Sequence, residues 1–300
     1  MTAVETPQAP RKAREHGPER AVRGEPPGWL VRLRRQKLAS YVILLVFAVL
    51  YIGPLLMLVT TAFKTLPEFF QNPTGMPESL RFENFTEAWN EAQFARYLIN
   101  SVVYTTVATA VCVVTSVLVA FPIARGYLKG GKYILLLYVI ALFLPPALIP
   151  QFQLILNLGL FNTRAGYILL FLVNPIGIII LVNYIKAIPR ELDESAAIDG
   201  CGYYRFVFKI IVPLIRPAIA TVTVLHAIGL WNELVLAIIY LTNDDLYPVT
   251  RGLIAFEGLY GANWPPMAAA VLILMTPMVV LFLFLQRYIV SGLTAGAVKG

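Results

Sequence analysis

Residues 186–217 read KAIPRELDESAAIDGCGYYRFVFKIIVPLIRP, a polar stretch set between two apolar runs. Pro189 suits the first position of a helix. Glu191, Asp193 and Glu194 follow in the early turns, where the helix dipole favours acids. Ala196, Ala197 and Ile198 continue the helix. Gly200 and Gly202 stop it, because glycine accepts the left-handed cap. A second helix is then predicted. Tyr203, Phe206, Val207 and Ile210 recur at helical spacing, while Arg205 and Lys209 share another face. Pro213 and Pro217 mark entry into the next apolar run. The stretch reads as two short helices joined by a sharp turn.

On either side the chain is apolar. Charge-free runs cover 38–63, 98–124, 133–163 and 165–185. Two more cover 217–242, broken only by Glu233, and 258–286. Each contains at least the ~20 residues that cross a ~30 Å hydrocarbon core as a helix. The third is longer than one crossing needs, so its helix is predicted at 133–156, with 157–164 as a loop. Backbone groups in lipid must be paired internally, so such runs are helices. Prolines at 122, 145, 146, 150, 175 and 277 are expected as kinks. Composition agrees: 58% of residues are hydrophobic and 14% charged, against about 25% charged in soluble domains. Mean hydropathy is +0.71.

Basic residues set the orientation. Nineteen of the 24 Lys and Arg lie in the N-terminal tail, in 125–132, in 186–216 and at the C-terminal end. Lys64, Arg81, Arg96, Arg164 and Arg251 are the remainder. The positive-inside rule puts the first group, and both termini, in the cytoplasm. The expected organisation is a disordered basic tail over 1–37, a six-helix membrane domain over 38–290 with the 186–217 loop inside it, and a cytoplasmic tail over 291–300. The first apolar run is too long for the ~7–15 residues of a cleaved signal core.

The net charge of +7 belongs to this topology and gives no ground for nucleic-acid binding. Cys112 lies in an apolar run and Cys201 in a polar loop, which argues against a disulfide, and no His or Cys spacing suggests a metal site. Gly126, Gly131 and Lys132 fit the start of a phosphate-binding loop. Tyr133 stands where Ser or Thr would hold Mg²⁺, and no strand precedes it.

Polar residues within spans are costly and are functional candidates. His226 and Glu233, seven residues apart, are predicted on one helical face. Trp231, Asn232 and Glu233 bring together an aromatic, an amide and a carboxylate, groups that stack on and hydrogen-bond to sugars. The other reading makes Trp231 an interfacial anchor and Glu233 the partner of a neighbouring subunit. The aromatic-rich segment 64–97 either docks an external protein or packs on the membrane surface. By spacing alone, the 186–217 hairpin either docks into a partner or lies on lipid.

A resemblance bears on that choice. Glu194-Ser195-Ala196-Ala197-Ile198-Asp199-Gly200, with Ile210, Pro213 and Pro217, resembles the EAA loop of ABC importer permeases. Ser195 replaces the first Ala of the pattern and Val212 its Leu; both are small or apolar, so docking is still expected. Ile149-Pro150 through Leu158-Gly159-Leu160-Phe161-Asn162-Thr163, then Trp231-Asn232-Glu233-Leu234, and the terminal Gly292 to Gly300 look like the carbohydrate branch. They look most like its second permease, of the maltose and multiple-sugar type. The resemblance covers nearly everything after residue 38. It implies a permease of a bacterial cytoplasmic-membrane sugar importer, with a second permease, a cytoplasmic ATPase pair and an external solute-binding protein. It implies no catalysis and no cofactor in this chain, ATP and Mg²⁺ belonging to the ATPase. Glu194, Ala196, Ala197, Asp199, Gly200, Ile210 and Pro213 would couple to the ATPase; His226, Trp231, Asn232 and Glu233 would line the sugar path. A permease for another solute is one rival. A secondary transporter or channel is another, but it has no use for the hairpin and often carries inverted repeats, which this sequence does not show. A non-transporting scaffold is a third.

Overall fold

The computed structural model describes residues 28–91, 93–258 and 261–297, with side chains from Lys37 to Gln286 except at 39, 91, 257, 258 and 261. The chain divides into two compact units, Met1–Pro54 and Leu55–Gly300. The first consists, among the described residues, of the greater part of helix α1 (Gly28–Thr61). Its side chains at Leu38 and from Tyr41 to Ile52 are largely apolar and exposed, as a helix that meets lipid requires. α1 begins at Gly28, inside the segment expected to be tail; residues 1–27 lie outside the described residues.

Among the described residues the regular structure of the second unit is helical apart from a short antiparallel pair, β1 (Glu257–Gly258) with β2 (Gly261–Ala262). After α1 come α2 (Leu66–Gln71) and α3 (Glu83–Glu91). A capping box at Thr65 and Glu68 starts α2. The segment around these helices is tied down by buried polar groups. Lys64 is fully buried and donates to the carbonyls of Asn72 at 2.7 Å and Pro73 at 3.1 Å. Asn84 donates to the carbonyls of Ala62 and Lys64, both at 2.8 Å. Helix α4 (Phe94–Arg125) follows, closed by Gly126 at φ +77°.

The next apolar runs are not single helices. The third forms α5 (Gly131–Ala141) and α6 (Leu148–Asn157), not one helix over 133–156. Pro145 and Pro146 lack the N–H groups that would bond the carbonyls of Ala141 and Leu142, so the helix stops there. The fourth forms α7 (Arg164–Leu169) and α8 (Pro175–Lys186). Asn174 starts α8 anew, its Oδ1 accepting from Gly177 N at 3.0 Å, with Pro175 in the first turn. The hairpin comprises α9 (Glu191–Ile198), α10 (Tyr203–Phe206), a π turn at Val207–Ile211 and α11 (Val212–Leu214). It leads into α12 (Arg216–Trp231), then α13 (Val235–Tyr240), α14 (Val249–Gly252) and α15 (Trp264–Ala297). α15 thus runs past 291, where a tail was expected.

Among the described residues three helices are long and apolar enough to cross a membrane: Ser40–Thr61, Phe94–Arg125 and Trp264–Gln286. Tyr203–Leu214 with Arg216–Trp231 makes a fourth if the pair, bent by 81°, is taken as one crossing. α4 packs on α8 and α12, and α12 packs on α15. Ala268, Ala269 and Ala270 are buried at the start of α15. Small residues let helix backbones approach, which is the main source of attraction between helices in lipid. A separate apolar core gathers Phe121 of α4, Leu181, Val182 and Ile185 of α8, Val222 of α12, and Val207 and Ile211 of the hairpin.

Candidate functional site: the helical hairpin at 186–217

α9 ends in a Schellman motif. Gly200 N donates to Ala197 O at 3.1 Å and Cys201 N to Ala196 O at 2.9 Å. Gly200 sits at φ +68°, a conformation that costs other L-residues about 1–2 kcal/mol. The turn therefore asks for glycine. Ala196 is the buried residue of α9 and lies against the core around Phe121, whereas Ala197 faces out. Ile198 is 87% exposed, and Tyr204 across the turn is 71% exposed. Glu194 and Asp199 are also exposed, and neither forms an ion pair within the described chain. Apolar knobs and free carboxylates at the tip are groups left for something else to cover.

The second arm is anchored more deeply. Phe206, Val207 and Ile211 are buried, and the Phe121 ring lies 5.5 Å from Tyr203 and 5.8 Å from Phe206. The arm widens into a π turn just before Pro213, and π turns are frequent at functional sites. Ala196, Asp199, Cys201, Arg205, Lys209 and Ile210 line a cleft of about 290 Å³ between the arms. The structure thus brings together Ala196, Asp199 and Ile210 of the expected coupling set. Glu194, Ala197 and Gly200 lie on the same hairpin, and Pro213 lies in α11 where the second arm turns toward α12. Cys112 and Cys201 are free thiols.

A buried arginine clamps the first arm to α4. Arg125 ends α4, and its side chain is 2% exposed. Its Nη2 lies 2.8 Å from Asp193 Oδ1, and its Nη1 donates to Ile188 O at 2.8 Å. Tyr127 Oη donates to Asp193 Oδ2 at 3.1 Å. Burial, and then the hydrogen bond to Asp193, raise the Tyr127 phenol above its ordinary value, so it stays protonated as a donor. In the sequence Arg125 reads only as a loop charge. Its partner is 68 residues away, and no local signal links the two.

The residues expected along a solute path do not converge. α12 ends at Trp231, so Glu233 leaves the helix and does not share a face with His226. Glu233 instead stands two residues ahead of α13, its Oε1 accepting from Leu236 N in that helix's first turn at 2.9 Å. Asn232 donates to Ile228 O of its own helix at 2.9 Å. Trp231 is 2% exposed, and its Nε1 donates to Leu274 O on α15 at 3.2 Å. It ties two helices together. Trp231→Phe is expected to lower the thermal midpoint of the purified protein by loss of that bond and some packing. The KM for solute should stay unchanged; a raised KM at normal stability would instead mean solute contact. His226 is placed differently. Its Nδ1 lies 3.3 Å from Nδ2 of Asn174, the residue that restarts the fourth run. Asn174 escapes a reading of the sequence for polar span residues, although its place before Pro175 carries the signal of a helix start.

No group of three His, Cys, Asp or Glu side chains that could hold a metal occurs among the described residues. Three long apolar helices, further apolar helices that are broken, and a capped polar hairpin between them describe a polytopic helical membrane protein. The chain belongs to the family of binding-protein-dependent transport system inner membrane components, whose model matches residues 28–294. It is 33% identical to the probable ABC transporter permease protein YurM of Bacillus subtilis (strain 168), over 87% of this chain and 88% of that one. It is 32% identical to the melibiose/raffinose/stachyose import permease MelC of the same organism, over 82% of this chain and 91% of that one. Among solved structures it resembles a chain of a bacterial ABC transporter involved in the import of the acidic polysaccharide alginate. There the TM-score is 0.77 at 21% identity, covering 85% of this chain and 97% of that one.

Proposed function

We propose that this permease forms one half of the sugar pathway of an ATP-driven importer in a bacterial cytoplasmic membrane, and that the 186–217 hairpin docks it onto the ATPase. The observation that carries the docking role is the exposed tip, where Ile198 stands 87% exposed on a turn fixed by Gly200. The sugar assignment is supported by the named activities of relatives such as MelC. The chain crosses the membrane six times with both termini inside, and the third, fourth and fifth crossings are the broken ones. α5 has eleven residues, about 16 Å at 1.5 Å per residue. Started from the cytoplasmic side, it places the break at 142–147 near mid-bilayer. Irregular backbone at that depth is tolerated where protein or water covers it. A second permease and the solute path supply that cover. The chain itself hydrolyses nothing; ATP and Mg²⁺ act on the ATPase pair, and an external solute-binding protein delivers the sugar.

The test is affinity purification of the tagged chain from its native membrane, then ATP-driven uptake in proteoliposomes from a panel of labelled melibiose, raffinose, a dipeptide and spermidine. Co-elution of an ATPase and a second permease, with uptake of a sugar alone, is expected. Uptake without ATP would overturn the importer reading, and uptake of the dipeptide or spermidine in place of sugars would overturn the substrate class.

A further inference from the structure

The hairpin continues covalently into α12, so the shortest route for a displacement of its tip is along the chain into the fifth crossing. That route is interrupted. The π turn at Val207–Ile211, Pro213 and the non-helical Ile215 (φ −97°, ψ 12°) separate the second arm from α12, at a bend of 81°. The first arm has no such break on the way to α4. α9 buries only Ala196 against the core, but Asp193 is held by Arg125 at the very end of α4.

A guanidinium at 2% exposure is stable only while paired and hydrogen-bonded, because an uncompensated buried charge is far costlier than a surface one. Arg125 has three tethers on the hairpin's entry: the carboxylate of Asp193, the Ile188 carbonyl at 2.8 Å and the Pro189 carbonyl at 3.5 Å. Tyr127, two residues beyond α4, adds a second hold on the same carboxylate. Pulling α9 away from α4 would strand the buried charge. Moving the two together leaves it paired.

We propose that Arg125 is a positioning residue that makes the first arm and α4 one rigid body, so that motion imposed on the hairpin tip is delivered to the second crossing rather than along the chain to the fifth. The proposal rests on the importer reading, since it needs an ATPase to move the tip. Coupling of this kind requires an element with two arrangements that both sites bias; here that element is the joined pair α9–α4.

The test uses the whole transporter in native membrane vesicles and needs no identified solute. Cys201 reports on the hairpin, and Val114→Cys, on an exposed face of α4, reports on the second crossing in a Cys112→Ser background. Peptide-resolved labelling with N-ethylmaleimide is compared under ATP plus vanadate and under ADP. With the latch intact, labelling at both positions should depend on nucleotide. In Arg125→Gln, and in the milder Asp193→Asn, Cys201 should keep its dependence while position 114 loses most of it, the remainder passing through the packing of Tyr203 and Phe206 on Phe121. Arg125→Lys, which keeps the charge but not the fork, should retain part of it. Full nucleotide dependence at 114 in Asp193→Asn would overturn the latch while leaving the importer reading intact. No dependence at Cys201 in the parent chain would overturn the importer reading, and the latch with it.

Discussion

Gly200→Asp is expected to give a protein that folds and inserts normally yet moves no solute, with ATP-driven uptake falling to the level of membranes lacking the permease. The folding half rests on space and backbone. A Cβ at position 200 would meet no atom within 4 Å, and Asp is among the few residues that adopt φ near +68° readily. The residual strain is at most about 1–2 kcal/mol for a single left-handed residue. The functional half rests on what the tip must do. The substitution puts a third carboxylate beside those of Asp199 and Glu194, at a surface that is desolvated when a partner docks. A charge buried there without a counter-ion opposes docking by roughly 3–5 kcal/mol. Glu194→Lys should act alike by reversing the sign of an exposed group the partner meets. Uptake normalised to membrane content by immunoblot checks both; near-normal uptake in either variant would remove the tip from the coupling path.

Ile198→Asp should separate the permease from its ATPase. At 87% exposure Ile198 contributes nothing to the fold that its loss could damage, so its apolar side chain is available wholly to a partner. Central apolar anchors of interfaces cost ~2 kcal/mol or more when removed, which is about 30-fold in affinity. Titrating the ATPase onto permease in nanodiscs should show that weakening, with the thermal midpoint of the permease unchanged. An unaltered affinity would mean that the tip does not meet the ATPase.

Membrane character, the positions of the apolar runs and the hairpin are all legible in the sequence, because each depends on local composition and spacing. Gly200 can be read as a cap because glycine takes that backbone at the least cost. Tertiary partners cannot be read in this way. Pro145 and Pro146 read as kinks, and the length of the break depends on how the chain beyond them packs. Trp231 reads either as a sugar platform or as an anchor, and nothing local shows the bond of its Nε1 to the Leu274 carbonyl, 43 residues on. Counting residues assigns Glu233 to a helical face, but the helix stops at Trp231 and the carboxylate accepts from Leu236 N in the first turn of the next one. Arg125 carries the least signal of all. A basic residue at the end of an apolar run is expected from topology alone, and its pairing with Asp193 exists only once α4 and α9 have been brought together.

The most direct measurement is photocross-linking from position 198. p-Benzoylphenylalanine placed there in the intact transporter, irradiated in inside-out membrane vesicles, should form one protein adduct, with the nucleotide-hydrolysing subunit. Adducts with lipid alone, or a position 198 that reacts from outside the cell, would contradict the account.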